Sequence, residues 1–223
     1  VLAAAVLWSV SGAITKSIDL DGQTIAFYRG LFAGLVLVPL VPRGKRVFRP
    51  AMVPLGLVFG AMTGFYLASM KATTAANAIC LQYTATFWVV PLAYLFLGER
   101  PDRRSAAGIA FALVGIAVIV RYGHSGRDDE WKGILLGLAS GVAYAGVAIG
   151  MRGLRELNPI WLSAVNNLSG SLALLAWMTV THGPPVLPTA PQALALVAFG
   201  PAQMPLPYDA FARGLREVNA AEP

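Results

Sequence analysis

The sequence predicts an all-α membrane protein: a ten-helix fold of two inverted five-helix repeats, with about eight of the helices present in this chain. Three observations carry that expectation. Of the 223 residues, 57% are hydrophobic and only 13% charged, where soluble domains are about 45–50% apolar and about 25% charged. Apolar runs of roughly 20 residues, the length that crosses the hydrocarbon layer as a helix, recur along the whole chain. Short patterns also repeat at nearly one offset. Trp8 to Lys16 is matched by Tyr144 to Arg152, and Tyr66, Lys71, Asn77 and Ala78 by Tyr208, Arg213, Asn219 and Ala220.

The eight predicted spans are Val1 to Ser17, Thr24 to Val41, Ala51 to Met70, Ala75 to Leu97, Ser105 to Val120, Gly133 to Met151, Ile160 to Val180 and Ala190 to Phe211. Gly, Pro and charge punctuate them at Asp19 to Gly22, Pro42 to Arg46, Gly98 to Arg104, His124 to Lys132 and Gly183 to Pro185. Loops this short make successive spans antiparallel. Arg43, Lys45, Arg46, Arg49, Arg100, Arg103, Arg104, Arg152, Arg155, Arg213 and Arg216 follow the even-numbered spans. Lys16, Lys71, Arg121, Arg127 and Lys132 follow the odd ones, three of them beside Asp128, Asp129 and Glu130. Positive charge collects on the cytoplasmic side, so the N-terminus is expected inside.

A repeat of five spans is odd in number, so its two copies enter the membrane from opposite sides. The expected units are residues 1–121, with five spans, and residues 133–223, with three spans and the start of a fourth. On that arithmetic the chain reads as a fragment, short of its second repeat by roughly forty residues, or two spans.

Composition also narrows the chemistry. A single cysteine, Cys80, excludes a disulfide framework, and His124 and His182 lie in connections, so neither a metal site nor any other cofactor is expected. The net charge of +6 sits in loop clusters and not in a stripe, which argues against nucleic acid. No Walker-type glycine loop is present, so ATP drive is not encoded.

Arg29 is expected about one turn inside the second span, where a cation near the bilayer centre costs about 2.5–3.5 kcal/mol; a solute-binding role and a structural anchor both fit. Gln82, with Tyr83, Thr84 and Thr86 around it and Pro91 further on, offers donors and an acceptor to a polar solute or to a neighbouring helix. Trp8 and Tyr144 occupy matching repeat positions and fit either a cavity wall or packing. Asn167 forms an i, i+4 row with Ser163 and Ser171, read chiefly as helix-packing glue, and Asn166 must point about 100° away from it. Pro201, Pro205 and Pro207 bend the last span. Gly133, Gly137 and Gly141 form a small-residue row for close helix approach.

Several stretches together resemble the EamA-type transporters of the drug/metabolite transporter superfamily. They are Leu7-Trp8-Ser9 in the first span, Phe27-Tyr28-Arg29-Gly30-Leu31 in the second, and Tyr66 to Met70 followed by Thr74-Ala75-Ala76-Asn77-Ala78. Leu95-Phe96-Leu97-Gly98-Glu99-Arg100 closes the fourth, and Arg216 to Glu222 resembles the start of the family's ninth span. The resemblance implies secondary transport of a small organic solute by alternating access, with export favoured, in the inner or plasma membrane. It implies a central cavity, with Trp8, Arg29, Tyr66, Gln82, Tyr144 and Asn167 as lining residues. The expected partners are the solute and membrane lipid; proton coupling through Asp209 or Glu222 and a homodimer stay open. The alternatives are a membrane-embedded lipid or prenyl transferase, for which Asp128-Asp129-Glu130 is the available acidic run, and an inactive structural fragment.

Overall fold

A computed structural model describes residues 15–98, 108, 110, 113–118, 130–181 and 183–203. Every regular element among them is helical. Seven α-helices have described bounds: α1 (Gly22–Leu40), α2 (Met52–Ala72), α3 (Ala75–Gln82), α4 (Ala85–Leu97), α5 (Glu130–Gly153), α6 (Pro159–Thr181) and α7 (Ala190–Gln203), with a 3₁₀ turn at Arg43–Lys45; residues 15–17 and 113–118 are helical as well. Four stretches among the described residues are long and apolar enough to cross a membrane: Gly22–Leu40, Met52–Ala72, Ala75–Phe96 and Glu130–Gly153.

Local chemistry sets the helix ends. Asp21 caps α1, its carboxylate accepting from the backbone N–H of Gln23 and Thr24 at 2.9 Å each. Thr74 caps α3 by accepting from Asn77 N at 3.1 Å. Asn158 caps α6 through Trp161 N at 3.0 Å, with Pro159 at the first helical position, where its missing N–H costs nothing. Before α7, Gln192 Oε1 reaches back to Thr189 N at 2.9 Å, half of a capping box. Gly98 ends α4 at φ 67°, the left-handed conformation that glycine adopts without strain.

The fourth predicted span differs from the expectation of one continuous helix. It breaks at Tyr83–Thr84 into α3 and α4, while Pro91 lies within α4 without ending it. At the break the Thr84 hydroxyl donates to Leu81 O at 2.7 Å, and tight i to i−3 bonds (Thr84 N to Leu81 O, Phe87 N to Thr84 O) replace the regular ladder. A threonine that back-bonds its own helix bends it. Gly141 of α5 faces the bend, and a Cβ there would collide with Thr84 Oγ1.

Helix directions follow from which glycines meet which partners. Along α2, Gly56, Gly60 and Gly64 meet Ser169, Gly170 and Leu174 of α6, so these two helices run parallel. Along α1, Gly30 meets Asn167 and Ser171 while Gly34 meets Ala164 and Leu168, so α1 is antiparallel to α6. Gly133, Gly137 and Gly141 of α5 approach Thr73, Leu81 and Thr84, the close approach their spacing predicted. Ser69 Oγ fastens this seam by donating to Gly133 O at 2.7 Å.

Two buried apolar clusters fill the bundle. One, toward the start of α1, joins Ile18, Ile25, Phe27, Leu67, Met70, Leu174 and Leu196. The other, toward the start of α2, joins Met52, Leu55, Phe59, Val147 and Leu162. Large apolar side chains also point outward, among them Leu172, Trp177, Val180, Leu57, Leu135 and Leu194. Exposure on this scale exceeds what a soluble monomer presents and suits a lipid-facing surface.

The α2–α6 contact is backbone on backbone, since a Cβ on Gly60 would stand 2.7 Å from Gly170 O. Gly60→Val is therefore expected to destabilise the bundle by about 1–3 kcal/mol or more. Gly44→Val, at a position with nothing within 4 Å, should be neutral; thermal unfolding in detergent compares the two.

Candidate functional site

Helix α1 starts at Gly22, before the predicted Thr24, so Arg29 lies seven residues in, about two turns and about 10 Å from the helix start. Arg29 is partly buried, with Tyr66 of α2 within electrostatic range of it. Tyr66 is itself partly buried against the cluster of Ile18, Ile25 and Leu67, and interacts also with Tyr83. Tyr83 is exposed and sits at the break between α3 and α4. A cation, two phenols and a helix discontinuity thus share one region. The sequence marked Arg29 and Tyr66 separately, and Tyr83 only as a polar neighbour of Gln82. The helix break that places Tyr83 had no breaker residue to announce it.

Gln82, one residue before Tyr83, donates through Nε2 to Ser140 Oγ of α5 at 2.9 Å. This is the helix-to-helix bond weighed as one of its two readings, of a type contributing about 0.6 kcal/mol. It ties the broken span to α5.

Tyr144 is partly buried and packs on the second apolar cluster, which includes Phe59 and Met62. Trp8, its predicted counterpart, lies outside the described residues, as do Asp128, Asp129, Pro205, Pro207, Asp209 and Glu222. Glu130, which was grouped with the acidic loop, opens α5 and is buried.

Asn167 is buried between α6 and α1 and donates through Nδ2 to its own helix at Ser163 O, 2.9 Å away. Ser171 makes the contact between helices: its hydroxyl lies 3.1 Å from Phe27 O of α1 and 2.8 Å from Asn167 O. The i, i+4 row therefore acts as packing glue, with Gly30 leaving room for Ser171. Asn166 stands apart from this row. It is 1% exposed, and neither its Oδ1 nor its Nδ2 has a hydrogen-bond partner.

A buried amide without partners costs more than an apolar group of similar shape. Asn166→Leu is expected to raise stability by about 1 kcal/mol, whereas Ser171→Ala should lower it by about 1 kcal/mol. Paired thermal unfolding curves in one detergent read both signs.

The chain matches the EamA-like transporter family over residues 1–121 and 131–222. It is 29% identical over 180 residues to an uncharacterized transporter of Archaeoglobus fulgidus, covering 79% of this chain and 64% of that one. It is 28% identical over 152 residues to a pseudopaline exporter of Pseudomonas aeruginosa, covering 65% and 52%. With a probable amino-acid metabolite efflux pump of Salmonella typhimurium it shares 25% identity over 144 residues, covering 63% and 48%. The chain thus spans about half to two thirds of the length of these relatives. A solved crystal structure superposes with a TM-score of 0.66 at 21% identity, over 92% of this chain and 73% of that one, a likeness of fold. With its apolar spans, the chain is an integral membrane protein and belongs to the EamA-like transporter family.

Proposed function

We propose that the protein is a secondary transporter that moves a small organic solute by alternating access, and that Arg29, Tyr66 and Tyr83 form part of the solute site. The observation that carries this reading is the intramembrane cation. Arg29 lies about two turns inside a spanning helix, where its insertion cost of up to about 3 kcal/mol calls for a compensating role. Tyr66 lies within electrostatic range of it and of Tyr83 in turn, and Tyr83 sits at a helix break of the kind that binds solutes in transporters. Gln82, Tyr144 and the Trp8 of the first span extend the same lining in other states of the cycle, and Asn167 supports it from behind as packing. Export is the favoured direction, supported by relatives named as an exporter and an efflux pump.

The inverted-repeat reading, with units 1–121 and 133–223, draws support from helix directions and from the loops. Helices α1 and α6, the second spans of the two units, are antiparallel. At one end of the bundle Arg49, just before α2, pairs with Glu156 in the turn after α5 at 3.7 Å. At the opposite end Gln192, at the start of α7, donates to Asp19 O in the connection before α1 at 3.4 Å. The two contacts exchange the corresponding parts of each unit, as a pseudo-twofold axis in the membrane plane requires. The distribution of positive loops supports an N-terminus on the cytoplasmic side.

Efflux and uptake of a metabolite panel by cells making the full-length protein test the proposal. Arg29→Gln is expected to cut transport at least about tenfold while the protein still inserts, equivalent to about 1.4 kcal/mol of binding or barrier. A lipid-modifying activity with no solute movement would overturn the reading. A cysteine at Gly44, in the exposed turn after α1, should react from the cytoplasmic side only, and labelling from outside would reverse the orientation.

A further inference from the structure

The fold brings two basic loops to one end of the bundle. The connection between α1 and α2 carries Arg43, Lys45, Arg46 and Arg49, and the last turn of α5 and the turn after it carry Arg152 and Arg155. Trp161 Nε1 donates to Val47 O at 2.8 Å, and Arg49 pairs with Glu156 at 3.7 Å, so the two loops are fastened side by side. Glu156 is the one carboxylate among these six cations.

Three further features go beyond a topology signal. The first is an exposed apolar strip on the same loop, with Phe48 61% and Val47 43% exposed. The second is an open groove of about 310 Å³ between the two loops, lined by Lys45, Val47, Glu156, Leu157 and Asn158. The third is the state of the cations. Arg43 and Lys45 are exposed, and Arg46 commits its Nε to Val41 O at 2.9 Å, which holds the guanidinium in place with its terminal nitrogens still available as donors.

We infer that this face is a docking surface for anionic phospholipid headgroups. Polybasic segments next to a spanning helix attract acidic lipids. A guanidinium fork matches a phosphate's oxygens. An aromatic beside the cations would enter the boundary between headgroups and acyl chains, which a free anion in water would not require. The surface lies at the ends of α1 and α5 and the starts of α2 and α6, where a spanning bundle meets the headgroup layer. Both units of the chain contribute to it, so a bound headgroup would bridge them.

The test equilibrates the purified full-length protein with mixed micelles of equimolar phosphatidylglycerol and phosphatidylcholine and weighs the co-purified lipids by mass spectrometry. Enrichment of phosphatidylglycerol by about threefold or more is expected, falling toward parity in the triple variant Arg43→Gln, Lys45→Gln, Arg46→Gln and in high salt. Phe48→Ser, which keeps every charge, should lower the enrichment too, while Lys132→Gln at the opposite end should not. Excess inorganic phosphate should leave the enrichment intact. Parity in the unaltered protein, full enrichment in the triple variant or in Phe48→Ser, or complete displacement by phosphate would each overturn the proposal. Should the triple variant fail to fold, the salt series and Phe48→Ser decide alone. Lipid retention is read without transport, so this inference and the transport reading fail separately.

Discussion

Close approach of helix backbones at glycine is the constraint on which the rest of this structure depends. Inside a bilayer, apolar side chains gain little by leaving lipid for protein, so helices associate through packing density and hydrogen bonds. Here α2 lies against α6 with Gly60 on Gly170, and α5 lies against the α2–α3 connection and the α3–α4 break through Gly133, Gly137 and Gly141. The same proximity sets the hydrogen bonds. Ser69 reaches Gly133 O, and Ser171 reaches Phe27 O, only because no Cβ separates the backbones. The helix break at Tyr83–Thr84 needs the space opposite Gly141, so even the irregular part of the candidate site rests on a glycine.

Much of this was legible in the sequence because its causes are local. The glycine row at spacing four and the apolar runs between clusters of Gly, Pro and charge each act through neighbours in the chain. Five of the eight predicted spans reappear as helices, or as a pair of half-helices, within a few residues of the expected bounds, and the sixth, Ala190 to Phe211, does so as far as it is described. What was not legible depends on partners. The break in the fourth span arises from Thr84 turning its hydroxyl onto Leu81 O, with α5 leaving room for the bend. Threonine occurs in unbroken helices as well. The depth of Arg29 was underestimated because Asp21, three residues before Thr24, proved to be the cap. Which polar side chain of α6 bonds a neighbouring helix was not fixed by the spacing, and in the packed bundle Ser171 does so while the side chain of Asn166 makes no hydrogen bond.

The two ends of the bundle treat their cations differently, and the difference follows from depth and neighbours. At the end that begins α1, the Lys16 ammonium donates to Thr73 O at 2.7 Å and the Lys71 ammonium to Ile18 O. The exchange crosses between the end of the first span and the end of α2, and Asp19 and Asp21 stand near Lys71. These cations are spent on holding helix ends together. At the other end, Arg43 and Lys45 lie exposed on a loop whose shape is set by Arg46 and Trp161. Carbonyls at a helix C-terminus are natural acceptors for ammonium groups, so closing one end with lysines costs the bundle no interior charge. Arginine predominates where charge must face outward and meet oxygen pairs in a fixed geometry. Between the two ends, Arg29 is the one cation held well inside a span among the described residues. Tyr66 of α2 lies within electrostatic range of it there. About two turns inside α1, Arg29 lies beyond the terminal carbonyls that receive Lys16 and Lys71, so its charge has to be met from within the bundle.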